Sequence, residues 1–341
     1  MTIAFAKQQG FTLLELMISI VLGLLISAAA MQLFFTGQMS FLMQKGVSDI
    51  QDNGNFGLRY LTQEVRKMNY GQVNPMNDRL VHGGLVLTTR HTPLFPEVTD
   101  LSLESDEVPV NIPNTIPSTV DVPISRNGLP SNVQIAKVVD GSTTSTDALS
   151  DQLVIQYYAD SAGNDCEGKA YEAGHYIIQR FFLREITDIH KNKSLVFSCE
   201  AGSYKKDSPT ILKNGGSTDV FGTTDGQIIM YNVDHFHYLL GVSNQSNSAD
   251  KRYITIENYQ SLEEYPRPRI NSIQLGLLVR SSENVGQTDL ISDDQTFEIL
   301  DQTVKFKVDP KNKSPKHLRQ VLTQTVAIRN GLGVPDTAEG K

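Results

Sequence analysis

The chain begins with a long apolar run. Between positions 11 and 35 the only charged residue is Glu15. As a helix rising ~1.5 Å per residue, this stretch would be about 37 Å long, which is enough to cross a bilayer. The rest of the sequence has no second run of this kind and is rich in Ser, Thr, Asn and Asp. We therefore expect one membrane-spanning helix over 11–36 and a soluble domain on one side of the membrane.

The pattern beyond the apolar run is also helical. Apolar residues and one glycine recur at spacings of three and four, namely Val47, Ile50, Gly54, Leu58, Leu61, Val65 and Met68. This spacing predicts an amphipathic helix from about residue 38 to 68, with its apolar face against the head of the protein. Because glycine weakens a helix, we expect one long helix that is bent or loosened near Gly37 or Gly46.

After Gly71 the period changes to the alternation that is typical of strands. Strands are predicted over 153–158, 175–183, 195–199, 228–231, 236–240, 252–257, 273–280, 297–306 and 321–328. The expected fold class is α+β, with a long N-terminal helix packed on a mainly antiparallel β head.

Two segments of the head are predicted to lack regular structure. Prolines recur across 108–123, which leaves no room for a helix and favours an extended loop. The stretch Gly-Ser-Thr-Thr-Ser-Thr at 141–146 is typical of a flexible connection. It places a division of the head into two lobes near 140–150.

Charge and motif content exclude several functions. A net charge of −8 argues against direct binding of nucleic acid or anionic lipid. The sequence has no His-Glu-x-x-His, no Walker-type phosphate loop, no Gly-x-Ser-x-Gly and no dinucleotide fingerprint. We therefore expect neither an enzyme nor a cofactor.

Two groups of side chains are candidate metal ligands. His235 and His237 would share one face of a strand, but without a third ligand nearby a structural or exposed pair is favoured over a metal site. Asp160, Asn164 and Asp165 form an acidic loop that calcium could occupy. Their spacing matches no EF-hand, so a solvated turn is favoured there.

An ordinary secretory signal is an alternative interpretation of the N-terminus, since Lys7 precedes the apolar run and Ala28-Ala29-Ala30 offers small residues for cleavage. The run is longer than a usual signal core. It also contains Glu15, and a carboxylate at mid-membrane costs about 2.5 to 3.5 kcal/mol on insertion scales. This glutamate therefore requires a functional explanation.

The start of the run reads Gly10-Phe11-Thr12-Leu13-Leu14-Glu15-Leu16. It resembles the class III leader-peptidase site of type IV pilins and type II secretion pseudopilins. The resemblance implies that a prepilin peptidase removes a leader, 1–10, by cutting after Gly10, and methylates the new amine of Phe11. The mature chain would then comprise a membrane and filament-core helix at 11–36, its amphipathic continuation at 37–70 and a periplasmic head at 71–341. It further implies that Glu15 pairs with the N-terminal amine of a neighbouring subunit.

The same helix carries small residues at four-residue intervals, Ser19, Gly23 and Ser27. Such a stripe lets another helix approach closely in lipid, although small residues are common in membrane helices generally.

The two cysteines, Cys166 and Cys199, lie in the part of the chain that would face an oxidising periplasm. A disulfide between them is the expected state. Closing a loop of about 33 residues would stabilise the fold by roughly 3.5 to 4 kcal/mol on the chain-entropy model.

Further segments are similar to PilW-like minor pilins. They are the stretches at 51–54 and 61–66, Ser-Asp-Gln-Leu-Val-Ile at 150–155 followed by Asp-Cys-Glu-Gly at 165–168, and Thr-Val-Ala-Ile-Arg-Asn at 325–330. This resemblance implies a low-abundance subunit in a minor-pilin complex that primes assembly and caps the pilus tip, with twitching, adhesion or DNA uptake as outputs. Its partners would be other minor pilins, the major pilin, the prepilin peptidase, the inner-membrane assembly platform and the lipid bilayer. A single-pass inner-membrane location, and the pilus tip after assembly, would follow.

Other functions stay open at this point. A minor pseudopilin of type II secretion would carry the same leader and helix. A tip adhesin would use the 72–145 region as its candidate surface. An anchored enzyme has no supporting motif.

Overall fold

A computed structural model gives the fold. It describes residues 11–72, 74, 76–78, 80–88, 111–112, 124–139, 142–187, 189, 193–205, 211–222, 224–243, 251–263, 267–285, 291–292, 295–307 and 316–329, and for 136–139 and 142–145 the backbone alone.

One helix, α1 (Leu13–Val65), accounts for the N-terminal part of the described chain. It begins at Thr12, whose extended backbone and side-chain oxygen cap the first turn, and it ends at Arg66. At ~1.5 Å per residue, its 53 residues span about 80 Å. The helix is continuous through Gly37 and Gly46, where the sequence predicted a bend or loosening.

The described part of the head contains fifteen strands and one short helix. In chain order these are β1 (Arg126–Leu129), β2 (Val133–Val139), β3 (Ser142–Asp147), β4 (Ser150–Ala159), β5 (Gly163–Asn164), β6 (Ala170–Tyr171), β7 (His175–Thr187), β8 (Lys193–Tyr204), β9 (Gln227–Tyr231), β10 (Val233–Ser243), β11 (Lys251–Ile254), α2 (Ile256–Gln260), β12 (Arg269–Arg280), β13 (Thr296–Ile299), β14 (Gln302–Phe306) and β15 (Arg319–Ala327).

These strands form three larger sheets and one small hairpin. The first sheet has the order β1-β4-β7-β8-β9, the second β11-β10-β12-β15 and the third β13-β14-β2-β3, while β5 pairs with β6. All of these pairings are antiparallel. The expected α+β class, with a long helix on an antiparallel head, is confirmed.

The first two sheets and the helix share one core. Phe197 of β8 meets Phe236 of β10 edge to face, with ring centroids 4.9 Å apart. Fully buried Leu61 and Val65 of α1 belong to the same cluster. The third sheet has a smaller core of its own, with members that include Val133, Leu278, Phe297, Ile299 and Val304.

Glycines let the second half of α1 approach the sheets closely. A Cβ at Gly54 would overlap Cδ1 of Leu322 on β15, and a Cβ at Gly57 would overlap the side chain of Met230 on β9. Gly46 is buried against Leu318. The docked face differs from the predicted one at Val47, which is 43% exposed. Successive residues point about 100° apart around a helix, so the face that buries Gly46 leaves its neighbour Val47 on the side.

Polar contacts fix the position of the helix on the head. The Lys45 ammonium pairs with Glu283. The Asn53 side chain donates to the carbonyl oxygen of Tyr231 at 2.7 Å and accepts from its N–H at 3.2 Å. Glu64 accepts a hydrogen bond from Gln179 on β7 at 2.9 Å. The two halves of α1 therefore differ, because contacts to the head are confined to the second.

The strand predictions need three corrections. Residues 252–257 were predicted as one strand, but α2 begins at Ile256 because Thr255 caps it by accepting from the Asn258 N–H at 3.1 Å. The predicted strand 297–306 is a hairpin of β13 and β14, with Leu300 at φ 58° in the turn. The stretch predicted as flexible at 141–146 contributes β3, which pairs along β2.

The predicted boundary range, 140–150, contains β3 of the third sheet and the start of β4 of the first. The third sheet combines β2 and β3 with β13 and β14 from the C-terminal part, while β1, which precedes the range, belongs to the first sheet. A cut in sequence at 140–150 therefore does not divide the head into two separate bodies. Most of the predicted proline loop, 108–123, lies outside the described residues.

Candidate assembly interface

The start of α1 holds Glu15 in a defined position. The Thr12 side-chain oxygen accepts the Glu15 N–H at 3.2 Å, and the Glu15 carboxylate accepts the Thr12 N–H at 3.2 Å and its hydroxyl at 3.1 Å. This reciprocal capping box satisfies donors that the first helical turn leaves unpaired. It also turns the carboxylate toward the start of the helix. The pattern Thr-x-x-Glu at 12–15 is the sequence signal for this cap.

The first half of α1 makes no packing contact with the described head. Its apolar side chains are exposed, from Leu13 at 79% to Phe35 at 62%. By length and composition this helix could cross a membrane. Exposed apolar surface of this extent requires lipid or other helices as its surroundings.

The predicted small-residue stripe lies on this exposed half. Ser19 donates its hydroxyl to the carbonyl oxygen of Glu15 at 2.7 Å, and Ser27 donates to that of Gly23 at 2.8 Å. The polar groups of both serines are thereby satisfied within the helix, which suits an apolar environment. A Cβ placed at Gly23 would meet nothing within 4 Å. The stripe is open to another helix.

Exposed aromatic residues continue along the second half of α1. Phe41 is 65% exposed, and Phe56 is 69% exposed with its ring stacked on Tyr60 at a centroid distance of 6.4 Å. The helix thus presents apolar groups outward even where its opposite face is docked.

The head is held together by a disulfide between Cys166 and Cys199, which joins the turn after β5 to β8. A buried ion cluster adjoins it. Lys213, 2% exposed, lies with its Nζ 3.0 Å from Glu167 and 3.6 Å from Glu200, the residues that directly follow the two cysteines. Glu200 also pairs with Arg180 at 2.7 Å and Glu167 with Lys169 at 3.7 Å, so the buried charges form a network in which each has a partner.

His235 and His237 are buried on β10 and lie in a hydrogen-bond network. His237 contacts Asp151 through Nδ1 and Asp301 through Nε2, each at 2.8 Å. His235 contacts Ser131 at 2.9 Å. Burial lowers the pKa of His237, but the bonds to the two carboxylates outweigh it and raise the pKa to about 9.

The pKa of His235, in the same network, is shifted in the opposite direction. Burial, reinforced by the charge of His237, lowers its pKa to about 4. The network therefore places one cationic and one neutral imidazole side by side, with ring centroids 6.3 Å apart. This arrangement joins three sheets and serves the fold.

The acidic loop is also engaged by protein groups. Asp165 accepts the N–H groups of Glu167 and Lys169, both at 2.9 Å, and the Asn214 amide at 2.8 Å. Asp160 accepts the Tyr70 hydroxyl at 2.6 Å. Among the described residues no three His, Cys, Asp or Glu side chains are grouped to hold a metal ion.

A long apolar helix that continues into an antiparallel head, together with a prepilin-type N-terminus, defines the class. The model of the prokaryotic N-terminal methylation motif matches residues 5–31. The N-terminal part of the chain is therefore similar to that of type IV pilin-like proteins. The model of the type IV pilus-assembly protein W family matches residues 199–330, from the second cysteine to three residues beyond β15. The resemblance to PilW-like pilins drawn from the sequence is confirmed.

Among solved structures, the type IV-like pilin TTHA1219 from Thermus thermophilus is similar, with 9% sequence identity, coverage of 83% of this chain and 96% of that one, and a TM-score of 0.33. A score this low adds nothing to the fold described above. No curated protein sequence matches the chain.

Proposed function

We propose that this protein is a minor pilin of a type IV pilus. It works with other minor pilins in a complex that primes assembly and caps the tip. The match to the type IV pilus-assembly protein W family over 199–330 supports a role in assembly. The methylation motif over 5–31 supports processing by a prepilin peptidase. The role is structural, since neither the motifs nor the family point to catalysis.

Cleavage after Gly10 makes Phe11 the first residue and leaves the apolar helix attached to the head. Before assembly, the mature protein resides in the inner membrane as a single-pass subunit with its head in the periplasm. Its exposed helix half exchanges lipid for the helices of neighbouring subunits during assembly. Lipid and helix surfaces are similarly apolar, so this exchange needs a specific attraction to give it direction and register.

Glu15 is the group that supplies this attraction, and its position is the observation that carries the proposal. It is the single charge on an otherwise apolar, exposed stretch. The capping box holds it at the helix start, within one turn of the Phe11 amine. Pairing of the Glu15 carboxylate with the cationic amine of an adjacent subunit neutralises both charges where water is scarce. One ion pair thus sets the position of an incoming subunit.

A gene deletion tests the proposal. We expect the deletion strain to lose surface pili in electron micrographs, the full chain to restore them, and secretion of exported enzymes to be unchanged. Cross-linking in the restored strain should recover other minor pilins. Normal piliation with lost secretion would instead identify a type II pseudopilin. Normal piliation with lost attachment only would identify an adhesin without a priming role.

A further inference from the structure

A cleft opens on the head where helix α1 ends. It lies between the turn after α1, the end of β4, β6 and Arg329, which is two residues beyond β15, and its volume is about 340 Å³. Its walls include Lys67, Tyr70, Tyr157, Asp160, Tyr171 and Arg329. Small-molecule sites in proteins have volumes from about 300 Å³ upward, so this cleft has room for a small ligand.

The position of the cleft makes it accessible from outside the membrane. Lys67 lies some 30 residues beyond the apolar half of α1, which is about 45 Å at the rise of an α-helix. The cleft therefore lies far from the bilayer, at the opposite end of α1 from Glu15. Neither the capping box nor the small-residue stripe contributes to it.

Tyr157 forms the base of the cleft and is the residue that points to a ligand. It is 4% exposed, and its buried hydroxyl has no hydrogen bond of standard geometry to the described residues. The Tyr171 ring stands edge-on beside it, at a centroid distance of 6.4 Å. Burial, together with the nearby Tyr171 hydroxyl, raises the pKa of Tyr157, so the Tyr157 hydroxyl stays protonated and can donate. A buried donor without an acceptor is costly, and a ligand oxygen would satisfy it.

Two cations lie beside this donor. The Lys67 ammonium is 5.7 Å from the centroid of the Tyr157 ring, and its pairing with Glu64 leaves the lysine side chain 36% exposed. Arg329 is anchored through Nε, which donates to the carbonyl oxygen of Arg66 at 3.1 Å. Its other guanidinium nitrogens have no carboxylate partner within the described residues. Donors therefore outnumber acceptors in the cleft, which calls for an acceptor-rich ligand group such as a carboxylate.

The rim of the cleft has a different character. The Tyr70 ring lies 5.2 Å below the Arg329 guanidinium, and its hydroxyl donates to the Asp160 carboxylate. The Ser161 hydroxyl also donates to Asp160 at 3.3 Å. A carboxylate can accept about four hydrogen bonds, so the exposed Asp160 side chain can still accept from a hydroxyl group of a ligand. The tyrosine rings can pack against the apolar C–H face of a sugar ring, while the polar groups at the rim can bond its hydroxyls.

We propose that this cleft binds an acidic sugar, with the carboxylate directed at Tyr157 and Arg329 and the ring hydroxyls at Asp160. The inference is independent of the proposed function, because a pilin that primes assembly needs no such site. A peptide C-terminus would also offer a carboxylate. It has no ring hydroxyls, however, that could donate to Asp160 at the rim. The saccharide is therefore the occupant that the lining favours.

Titration calorimetry on the full mature chain in detergent tests this. The probes are glucuronate, glucose as its neutral counterpart, acetate as a bare carboxylate, and glycylglycine as a peptide terminus. We expect saturable binding of glucuronate that is at least about tenfold tighter than that of the other three probes, as expected when a charged hydrogen bond and the ring contacts are both needed.

Two variants locate the binding, each with a matched control. Tyr157→Phe removes only the buried hydroxyl, so the fold should be retained, and Arg329→Gln removes an exposed charge. Each should weaken glucuronate binding by about tenfold. Tyr231→Phe and Arg59→Gln change an exposed tyrosine and an exposed arginine outside the cleft, and should leave the affinity unchanged.

The proposal is overturned by any of three results. These are the absence of saturable glucuronate binding, acetate or glycylglycine binding as tightly as glucuronate, or equal affinity in the cleft variants and their controls. Thermal unfolding of each variant shows that the protein is folded in every titration. Because binding is measured on the isolated protein, a failure here leaves the assembly role untouched, and a piliation defect does not affect the result.

Discussion

His237 contacts Asp151 at 2.8 Å through Nδ1, and this contact joins β10 of the second sheet to β4 of the first. The other ring nitrogen contacts Asp301 in the turn between β13 and β14, so that one imidazole connects all three sheets. Asp151 is fully buried and also accepts the Tyr238 N–H at 3.0 Å. The protonation state of His237 should therefore control how firmly the sheets are held together.

The first prediction is a loss of stability on raising the pH. The pKa of His237 is raised from 6.5 to about 9 in the folded state, so the folded protein binds a proton that the unfolded chain releases between these values. The stabilisation is complete below pH 6.5 and is lost as the pH rises through 9. Thermal unfolding followed by circular dichroism between pH 6 and 10 should show this decline.

His237→Gln should remove that decline and cost about 3 kcal/mol at pH 6.5, since it leaves a buried carboxylate without its cation. His175→Gln, at the partly exposed start of β7, is the matched control and should retain the wild-type profile. If the unfolding temperature of the His237 variant fell between pH 6.5 and 9 by as much as that of the wild type, the proposed role of His237 would be contradicted.

The second prediction concerns the acid side of the same network. The pKa of His235 is lowered to about 4 by burial and by the neighbouring cation, so the unfolded chain binds the extra proton between pH 6.5 and 4. Stability should therefore fall as the pH is lowered through this range. In His235→Gln, the acid decline should be smaller than in the wild type. The same series of unfolding curves, extended to pH 4, measures it, and an unchanged slope would count against it.

The third prediction is that the disulfide contributes roughly 3.5 to 4 kcal/mol to the stability of the head. The bond between Cys166 and Cys199 closes a loop with a sequence separation of 33. The double variant Cys166→Ser, Cys199→Ser should unfold at a clearly lower urea concentration than the oxidised wild type. Reduced wild type should behave like the variant. Coincident urea curves for oxidised and reduced protein would rule out this contribution.

The fourth prediction tests the docking of α1. In Gly57→Ala the new Cβ overlaps Met230 of β9, and overpacking of this kind costs about 1 to 3 kcal/mol. Gly37→Ala lies in the same helix with nothing within 4 Å of its Cβ, so it should stabilise by up to about 1 kcal/mol through helix propensity. Chemical denaturation of the two variants compares them directly. Equal effects would mean that α1 does not pack on β9 as closely as described.

The sequence predicts those elements whose apolar residues recur at the spacing of the helix or strand that they form. The 53 residues of α1 carry an unbroken helical or apolar pattern, and β7, β8, β10, β12 and β15 alternate or are continuously apolar. All of these elements line the common core. Their pattern is imposed by burial, which is why it can be recognised.

One element that escaped prediction is stabilised by pairing rather than by burial of apolar side chains. Strand β3 reads Ser-Thr-Thr-Ser-Thr-Asp, which is typical of a loop, yet it is fixed by its ladder with β2. The cleft at the end of α1 also has no signal in the sequence. Lys67, Tyr157 and Arg329 come from three distant parts of the chain, and no spacing in the sequence indicates that they meet.

The fifth prediction separates two roles of Glu15, which caps α1 and, in the proposed mechanism, pairs with the amine of a neighbour. Glu15→Leu should leave leader cleavage and membrane insertion intact, because removing a charge from an apolar segment favours transfer into lipid by a few kcal/mol. We nevertheless expect this variant to be absent from sheared pili and to fail to restore piliation in the deletion strain. Intact-mass measurement of the membrane fraction shows that processing after Gly10 has occurred.

Thr12→Ala is the matched control, since it removes the side-chain half of the capping box while keeping the Glu15 carboxylate. Loss of a cap costs about 1 kcal/mol, and a long helix in lipid withstands this. The Thr12 variant should therefore be processed, inserted and recovered in pili. If both variants assemble as well as the wild type, Glu15 has no part in assembly. If both fail alike, the cap itself is what assembly requires, and the pairing of Glu15 with a neighbouring amine is refuted.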